Sequence, residues 1–370
     1  MKILQVIYSL SSGGDSRVAA DLANELAHKG HDVTMCILYA PNERHLFNKS
    51  LLSDNVKFLN LNLETKNIEN ARLTLKAKLK APFVFRNLLK KEKYDIVHCH
   101  MTTLRYLYFE ALFNRKIKVV YTLHNVAEHT GCFPIEKPVH KWFFRTKRIW
   151  PITISEICYQ SFLKYYNCDA VSKINNGRTP LEKTEKFEEV KNELALYNKD
   201  NAPVFIHIAR FSPQKNQGLL IQSFNELAKE GYDYTLIIIG ATEEEFSVFE
   251  LTPEARPKIH ILGLKSNIAD YLLNADAFCL TSHFEGLPIS LLEAMSCGCI
   301  PISTKAGGTV DVILDGKTGY LTEISLESYK KALIHYLTNN TISKETVIAH
   351  FESNFTMNIC ADAHLDLYKK

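Results

Sequence analysis

Short apolar runs alternate along this chain with amphipathic stretches of helical period. In the first half, the runs at 3–8, 32–38, 96–99, 119–123 and 152–154 predict strands, and 17–29, 83–91, 103–113 and 156–165 predict helices. Continuous apolar strands separated by helices point to a parallel sheet covered on both faces. A polar stretch follows at 182–201, with six acidic residues and few apolar ones, and reads as a surface excursion between domains. The alternation then restarts, with strands at 204–208, 235–239, 277–280 and 300–303 and helices at 217–229 and 289–296. Two successive units of this kind predict an α/β protein of two doubly wound domains facing a cleft. Ligands of such sheets bind outside the carboxyl ends of the strands, so the loops after strands are where chemistry is sought.

Composition agrees with two domains, since 370 residues exceed what one hydrophobic core usually serves. Apolar residues make up 46% and charged residues 23%, as in an ordinary globular protein. No apolar run approaches a membrane-spanning length, and the N-terminal run reads as a first buried strand rather than a signal peptide. The nine cysteines are scattered without a C-x-x-C pair, and read as small core residues in a reducing cytoplasm.

Charge changes the picture. Residues 60–150 carry 18 Lys and Arg against 7 Asp and Glu, a net of +11 in a chain whose total is +3, so the remainder carries −8. That asymmetry suggests an anionic partner for the first half. Helix 83–91 sets Phe85, Leu88 and Leu89 at helical spacing beside Arg86, Lys90 and Lys91, with Lys76, Lys78 and Lys80 ahead of it. Such a helix fits an anionic membrane surface, and it equally fits an ordinary helix packed on its sheet. No nucleic-acid-binding motif accompanies the basic half.

The segment richest in candidate chemistry is 282–299, SHFEGLPISLLEAMSCGC. Pro288 suits the first helical position, and the turn Glu285-Gly286-Leu287 would present backbone N–H groups to an anion at a helix N-terminus. Glu293 falls in the second turn, and its neighbours one turn away, Ile289, Ser290, Ser296 and Cys297, include no cation. It can be an ordinary solvent-facing glutamate, or a carboxylate that takes its hydrogen bonds from the hydroxyls of a sugar. Gly13 and Gly14, after the first strand, allow close backbone approach or positive φ, or simply a tight turn. They are not the dinucleotide fingerprint. His98, His100 and His124 follow strands; of His98 and His100, one is expected to face the sheet packing. Arg210 and Lys215 share one strand-to-helix loop and could clamp a diphosphate, or be two solvated cations. Ala306-Gly307-Gly308-Thr309 repeats the glycine pair, with Asp311 one turn on.

Together these segments resemble the retaining glycosyltransferases of family 4, also called glycosyl transferases group 1, which have the GT-B fold. The resemblance rests on SSGGDSR, LAHKGHDVT, YDIVHCH and VVYTLHN in the first half. In the second it rests on IARFSPQKN, LIIIG, NADAFCLTSHFEGLPISLLEAMSCGCIPIST, AGGTVDVI and DGKTGYL. It implies two Rossmann-like domains, 1–170 on the acceptor side and 171–354 on the donor side, with a helix near 355–370 returning to the first. It implies transfer of a sugar from a nucleotide-diphosphate sugar, UDP above all, to an acceptor hydroxyl in bacterial surface polysaccharide or glycolipid synthesis, without a metal.

Position by position, the resemblance gives Glu293 the ribose hydroxyls. Glu285 lies near the donor sugar, with the amides of Phe284, Gly286 and Leu287 around it. Arg210 and Lys215 meet the diphosphate, Gly13 and Gly14 let the first domain close on the donor, and His124 meets the sugar or the incoming hydroxyl. The expected partners are the donor, a saccharide or lipid-linked acceptor and an anionic membrane, with no nucleic acid. The expected location is cytoplasmic, or peripheral on the inner face of the membrane. The alternatives are a GT-B epimerase, a phosphorylase or a silent nucleotide-sugar-binding module. Three places depart from the family pattern. Asp311 stands where Glu is usual, Ala241-Thr242-Glu243 follows LIIIG, and INNGR at 174–178 matches a hinge-region pattern only in part.

Overall fold

A computed structural model describes residues 1–68, 71–130, 135–198 and 201–370. It divides into two units: Met1–Thr179 with Met357–Lys370, and Pro180–Thr356.

The first unit begins with β1 (Lys2–Ile7), α1 (Gly14–His28), β2 (Asp32–Ile37), β3 (Val56–Asn60) and α2 (Leu75–Glu92). It continues with β4 (Ile96–His100), α3 (Tyr108–Phe113), β5 (Lys118–Leu123), α4 (Glu136–Arg145), β6 (Ile149–Thr153), α5 (Glu156–Tyr166) and β7 (Ser172–Lys173). The strands form one parallel sheet in the order β3-β2-β1-β4-β5-β6-β7. Its strands are apolar because both faces are covered, and α1 turns Val18, Ala19, Leu22, Ala23 and Leu26 inward at helical period.

Helix α2 starts well before position 83, because Thr74 caps it by accepting from the Ala77 amide at 3.1 Å. Of the two readings of its 85–89 face, packing on the sheet is the one that holds. Phe85 and Leu89 are in the core, packed on the sheet, and the exposed apolar stripe is Leu75, Leu79 and Phe83. The helix expected over 103–113 is split. Met101, at φ 56°, opens a 3-10 turn at Met101–Tyr106, and only Tyr108–Phe113 is α-helical.

The second unit opens with α6 (Phe187–Tyr197), inside the stretch expected to be a polar excursion. Its Val190 and Leu194, four apart, are buried, and two apolar residues suffice to anchor one face. Lys199 and Asp200 lie outside the described residues. Then come β8 (Val204–Ile208), α7 (Gln217–Lys229), β9 (Thr235–Ile239), α8 (Glu243–Phe246), β10 (Ile259–Ile261), α9 (Ile268–Leu273) and β11 (Ala277–Leu280). The unit closes with α10 (Ile289–Ser296), β12 (Ile300–Thr304), α11 (Thr309–Val312), β13 (Tyr320–Thr322), α12 (Leu326–Asn339) and α13 (Lys344–Asn354). Its parallel sheet runs β10-β9-β8-β11-β12-β13.

The chain then returns to the first unit as α14 (Met357–Lys369). The Tyr368 hydroxyl meets His98 Nδ1 at 2.7 Å, and Lys29 pairs with Asp362 at 2.8 Å. The division after Thr179 lies beyond the expected boundary at 170. The intervening residues add β7 to the first sheet and bury Arg178 against Asp21 of α1 at 2.7 Å. Burial raises the Asp21 carboxyl above its usual range, while Arg178 opposes that shift. Eight cysteines are described, all buried, and burial pushes the Cys279 and Cys360 thiols up to about 12. Among the described residues, no helix is long and apolar enough to cross a membrane.

Candidate functional site

Each sheet has one point where the strand order reverses, between β1 and β4 in the first and between β8 and β11 in the second. Loops leaving the carboxyl ends on either side of such a point part from each other and leave a crevice. Arg210 and Lys215 follow β8, and the turn 281–287 follows β11, so the second-unit candidates meet at one switch point.

There Lys215 Nζ lies 2.7 Å from Glu285 Oε1, with both side chains largely sequestered. The Ser282 hydroxyl donates to the same carboxylate oxygen at 2.6 Å. Further bonds tie the two loops together. Gln214 Nε2 donates to the Phe284 carbonyl at 2.8 Å, the His283 amide donates to the Gln214 carbonyl at 2.8 Å, and the Thr281 hydroxyl donates to the Lys215 carbonyl at 3.0 Å. Sequence reasoning missed Ser282, Gln214 and Thr281. Their partners lie on the other loop, and no local pattern announces them.

The second glycine pair has a physical reason. The Gly308 amide donates to the Glu285 carbonyl at 3.0 Å, and Gly307 has φ +64°. A Cβ on Gly307 would collide with the Glu285 carbonyl, and one on Gly308 with the Gly286 carbonyl. This close approach fixes the turn that leads into α10. Pro288 is the residue before α10, at φ −73° and ψ 118°, rather than its first helical residue. Among the described residues the Gly286 and Leu287 amides donate to no partner, as expected of an anion-binding helix start.

Glu293 is 6% exposed in the second turn of α10, which rules out a solvent-facing glutamate. Phe284 and Gly286 are half-buried and Leu287 is buried. Arg210 shares the Lys215 loop, but the residue is exposed, and its carbonyl accepts from Gln217 Nε2 at 2.9 Å. Asp311 lies in α11.

In the first unit Gly13 precedes α1 at φ −75°, so it does not serve positive φ. The Ser16 hydroxyl donates to the Gly13 carbonyl at 2.9 Å and also bonds the Ser11 carbonyl, pinning the loop; Gly14 begins the helix. His124 follows β5 and is half-buried. His98 and His100 are both buried and share one side of β4, because residues two apart on a strand point the same way. Their rings lie 4.3 Å apart, so the expected division of one inward and one outward does not hold.

Residues 12–179 match the model of Glycosyltransferase Family 4, and residues 187–349 match that of Glycosyl transferases group 1. The chain is 25% identical to a Bacillus anthracis N-acetyl-alpha-D-glucosaminyl L-malate synthase, over 85% of this chain and 81% of that one. It is 29% identical to an Escherichia coli UDP-Gal:alpha-D-GlcNAc-diphosphoundecaprenol alpha-1,3-galactosyltransferase, over 67% of each. Against a probable sucrose-phosphate synthase of Thermosipho melanesiensis, the similarity spans 43% of that protein's length. Among solved structures, a Rickettsia africae glycosyltransferase superposes with TM-score 0.81 at 20% identity, covering 100% of this chain and 97% of that one. Anabaena HepE, solved with UDP and glucose, gives 0.74 at 19% identity, covering 100% and 99%. At these identities the structures show a common fold, GT-B.

Proposed function

Because this chain belongs to the glycosyltransferases of group 1 and family 4, we propose that it moves a sugar from a nucleoside-diphosphate donor to an acceptor hydroxyl, retaining anomeric configuration. The observation that carries this reading is the Lys215–Glu285 pair beside the unengaged Gly286 and Leu287 amides, at the switch point of the second sheet. Breaking the bond from the anomeric carbon to the diphosphate sends its electron pair to the departing oxygen. Lys215, Arg210 and the amides before α10 stabilise that charge, so the scheme needs no metal. The acceptor oxygen bonds the anomeric carbon on the same face, and its proton passes to the departing diphosphate.

Glu285 steadies Lys215 beside the donor sugar, and Glu293 accepts from two ribose hydroxyls. Gly13 and Gly14 give the donor close backbone approach, and His124 meets the sugar or the incoming hydroxyl. UDP is the nucleotide favoured, because the Escherichia coli relative is named for UDP-Gal and HepE was solved with UDP. The same relative is named for a diphosphoundecaprenol-linked acceptor, which supports a lipid-linked acceptor in surface polysaccharide or glycolipid synthesis.

A lipid-linked acceptor requires a peripheral position, on the cytoplasmic face of the membrane in this reading. Leu75, Leu79 and Phe83 are 70%, 66% and 69% exposed and are interleaved with Lys76, Lys78 and Lys80. Arg86 sits 4.4 Å over the ring of Phe109, itself packed on the exposed Phe113, which extends the ridge to α3. Apolar side chains amid cations suit anionic headgroups over acyl chains. Co-flotation with anionic but not neutral vesicles is expected, and flotation with neither would remove the membrane.

A thermal-shift screen of UDP-, GDP- and ADP-sugars tests the donor. A ligand of the folded state raises its apparent stability, with UDP-sugars expected to do so most. No shift with any of them would sink the donor reading, and an inverted product anomer by NMR would sink retention.

A further inference from the structure

The first unit contains a histidine cluster that the proposed transfer uses only at its outermost member. His98 and His100 of β4, His364 of α14 and His124 after β5 form a connected group. Ring centroids are 4.3 Å apart for His98–His100, 5.4 Å for His98–His364 and 5.2 Å for His100–His124. Burial holds all four imidazoles below the usual histidine range, so they are neutral near pH 7. A neutral imidazole has one donor and one acceptor nitrogen, and its partners decide which is which.

The partners here are ordered. His100 Nε2 lies 2.5 Å from Gln5 Oε1, and His100 Nδ1 lies 2.9 Å from His124 Nε2. An amide oxygen only accepts, so His100 Nε2 carries the hydrogen. His100 Nδ1 is then an acceptor, and His124 Nε2 must carry the hydrogen that fills it. What remains on His124 is Nδ1, with a lone pair. His98 braces the arrangement from behind, its Nε2 2.7 Å from the Thr122 hydroxyl and its Nδ1 2.7 Å from the Tyr368 hydroxyl.

We infer that His100 is a positioning residue: a hydrogen-bond chain from Gln5 through His100 locks His124 in one orientation and one tautomer, with Nδ1 offered as an acceptor at the carboxyl end of β5. His124 can then accept a hydrogen bond from a hydroxyl of the donor sugar or acceptor, and cannot donate one from that nitrogen. The ligand class it selects is a hydroxyl donor rather than a bare oxyanion. This rests on the assignment of His124 to the transfer.

The test compares His124→Ala, His100→Leu and His100→Asn in the full chain, assayed by nucleotide release and checked for folding by thermal melting. His124→Ala is expected to lose turnover. His100→Leu is expected to lower kcat up to about 100-fold, the scale for a misplaced reacting group, with the donor KM unchanged. His100→Asn, whose side-chain oxygen can accept where Nδ1 did, is expected to recover much of that loss. A His100→Leu enzyme as fast as the parent, beside an inactive His124→Ala, would overturn the inference while sparing the role of His124. An active His124→Ala would overturn that role and the inference with it. Should His100→Leu fail to fold, long-range nitrogen–proton NMR of the histidine-labelled parent decides. The hydrogen is expected on Nε2 of both His100 and His124, and hydrogens on Nδ1 would refute the chain.

Discussion

Lys215 and Glu285 stand 70 positions apart in the chain and 2.7 Å apart in space. Neither is interpretable alone. A lysine in a loop is usually a solvated charge, and a glutamate before a helix is usually a surface acid. Brought together with Ser282 on the same oxygen, they make a cation that is held in place while its carboxylate partner is already satisfied. Truncating one preorganised charge-stabilising group in a closed site costs about 100- to 1000-fold in kcat. Lys215→Ala is therefore expected to fall in that range, and its melting temperature to drop as well, because the sequestered Glu285 carboxylate loses its cation. Nucleotide release measured at saturating donor would show it, and undiminished turnover would remove Lys215 from the site. Glu293 carries the opposite lesson. Its place on the helix follows from spacing, but only the fold shows that it is buried rather than on the surface.

Among the elements, those with long apolar runs were legible. The central strands Val204–Ile208, Thr235–Ile239 and Ala277–Leu280 fall where the pattern predicts them, because buried parallel strands are apolar on both faces. Strands β3, β7, β10 and β13 went unread: the last three have only two or three residues and so no period, and β3, VKFLN, is polar at Lys57 and Asn60 and gives no continuous apolar run. Helix α6 was hidden by its acidic face. The INNGR segment is tied down by Arg178, at 2% exposure beside Asp21 of α1. Removing one member of a buried ion pair leaves the other uncompensated, typically at a cost of about 3–5 kcal/mol. Arg178→Ala is expected to lose stability toward the lower end of that scale in urea denaturation, because Arg17 still lies 3.6 Å from the Asp21 carboxylate, and replacing both Arg178 and Asp21 with apolar residues should cost less. A single variant as stable as the parent would mean the pair does not anchor this segment.

At the scale of the whole molecule, the buried histidines set an acid limit. Burial pushes His140, His207 and His364 each down to about 4, and His98 and His100 are lowered as well. An unfolded histidine titrates near about 6.5, so between there and about 4 the unfolded chain binds more protons than the folded one. Stability is full above that window and is lost as pH falls through it. Urea midpoints are expected to be level between pH 7 and 8 and to drop steadily from pH 6.5 to 5. A midpoint unchanged at pH 5 would contradict the neutral buried imidazoles.

The sequence by itself determined two α/β units, the order of their main strands and helices, and which loops follow which strands. Those features are set by local periodicity and by glycine and proline, whose effects reach only a few residues. Tertiary structure decided which loops meet. It paired Lys215 with Glu285, pressed Gly307 and Gly308 against the 285–286 carbonyls, and set Tyr368 of α14 against His98. It also turned Phe85 and Leu89 inward while leaving Leu75, Leu79 and Phe83 outside. Such contacts depend on strand order and on which face of each element is covered, and neither is written within the span of a helical turn or a strand.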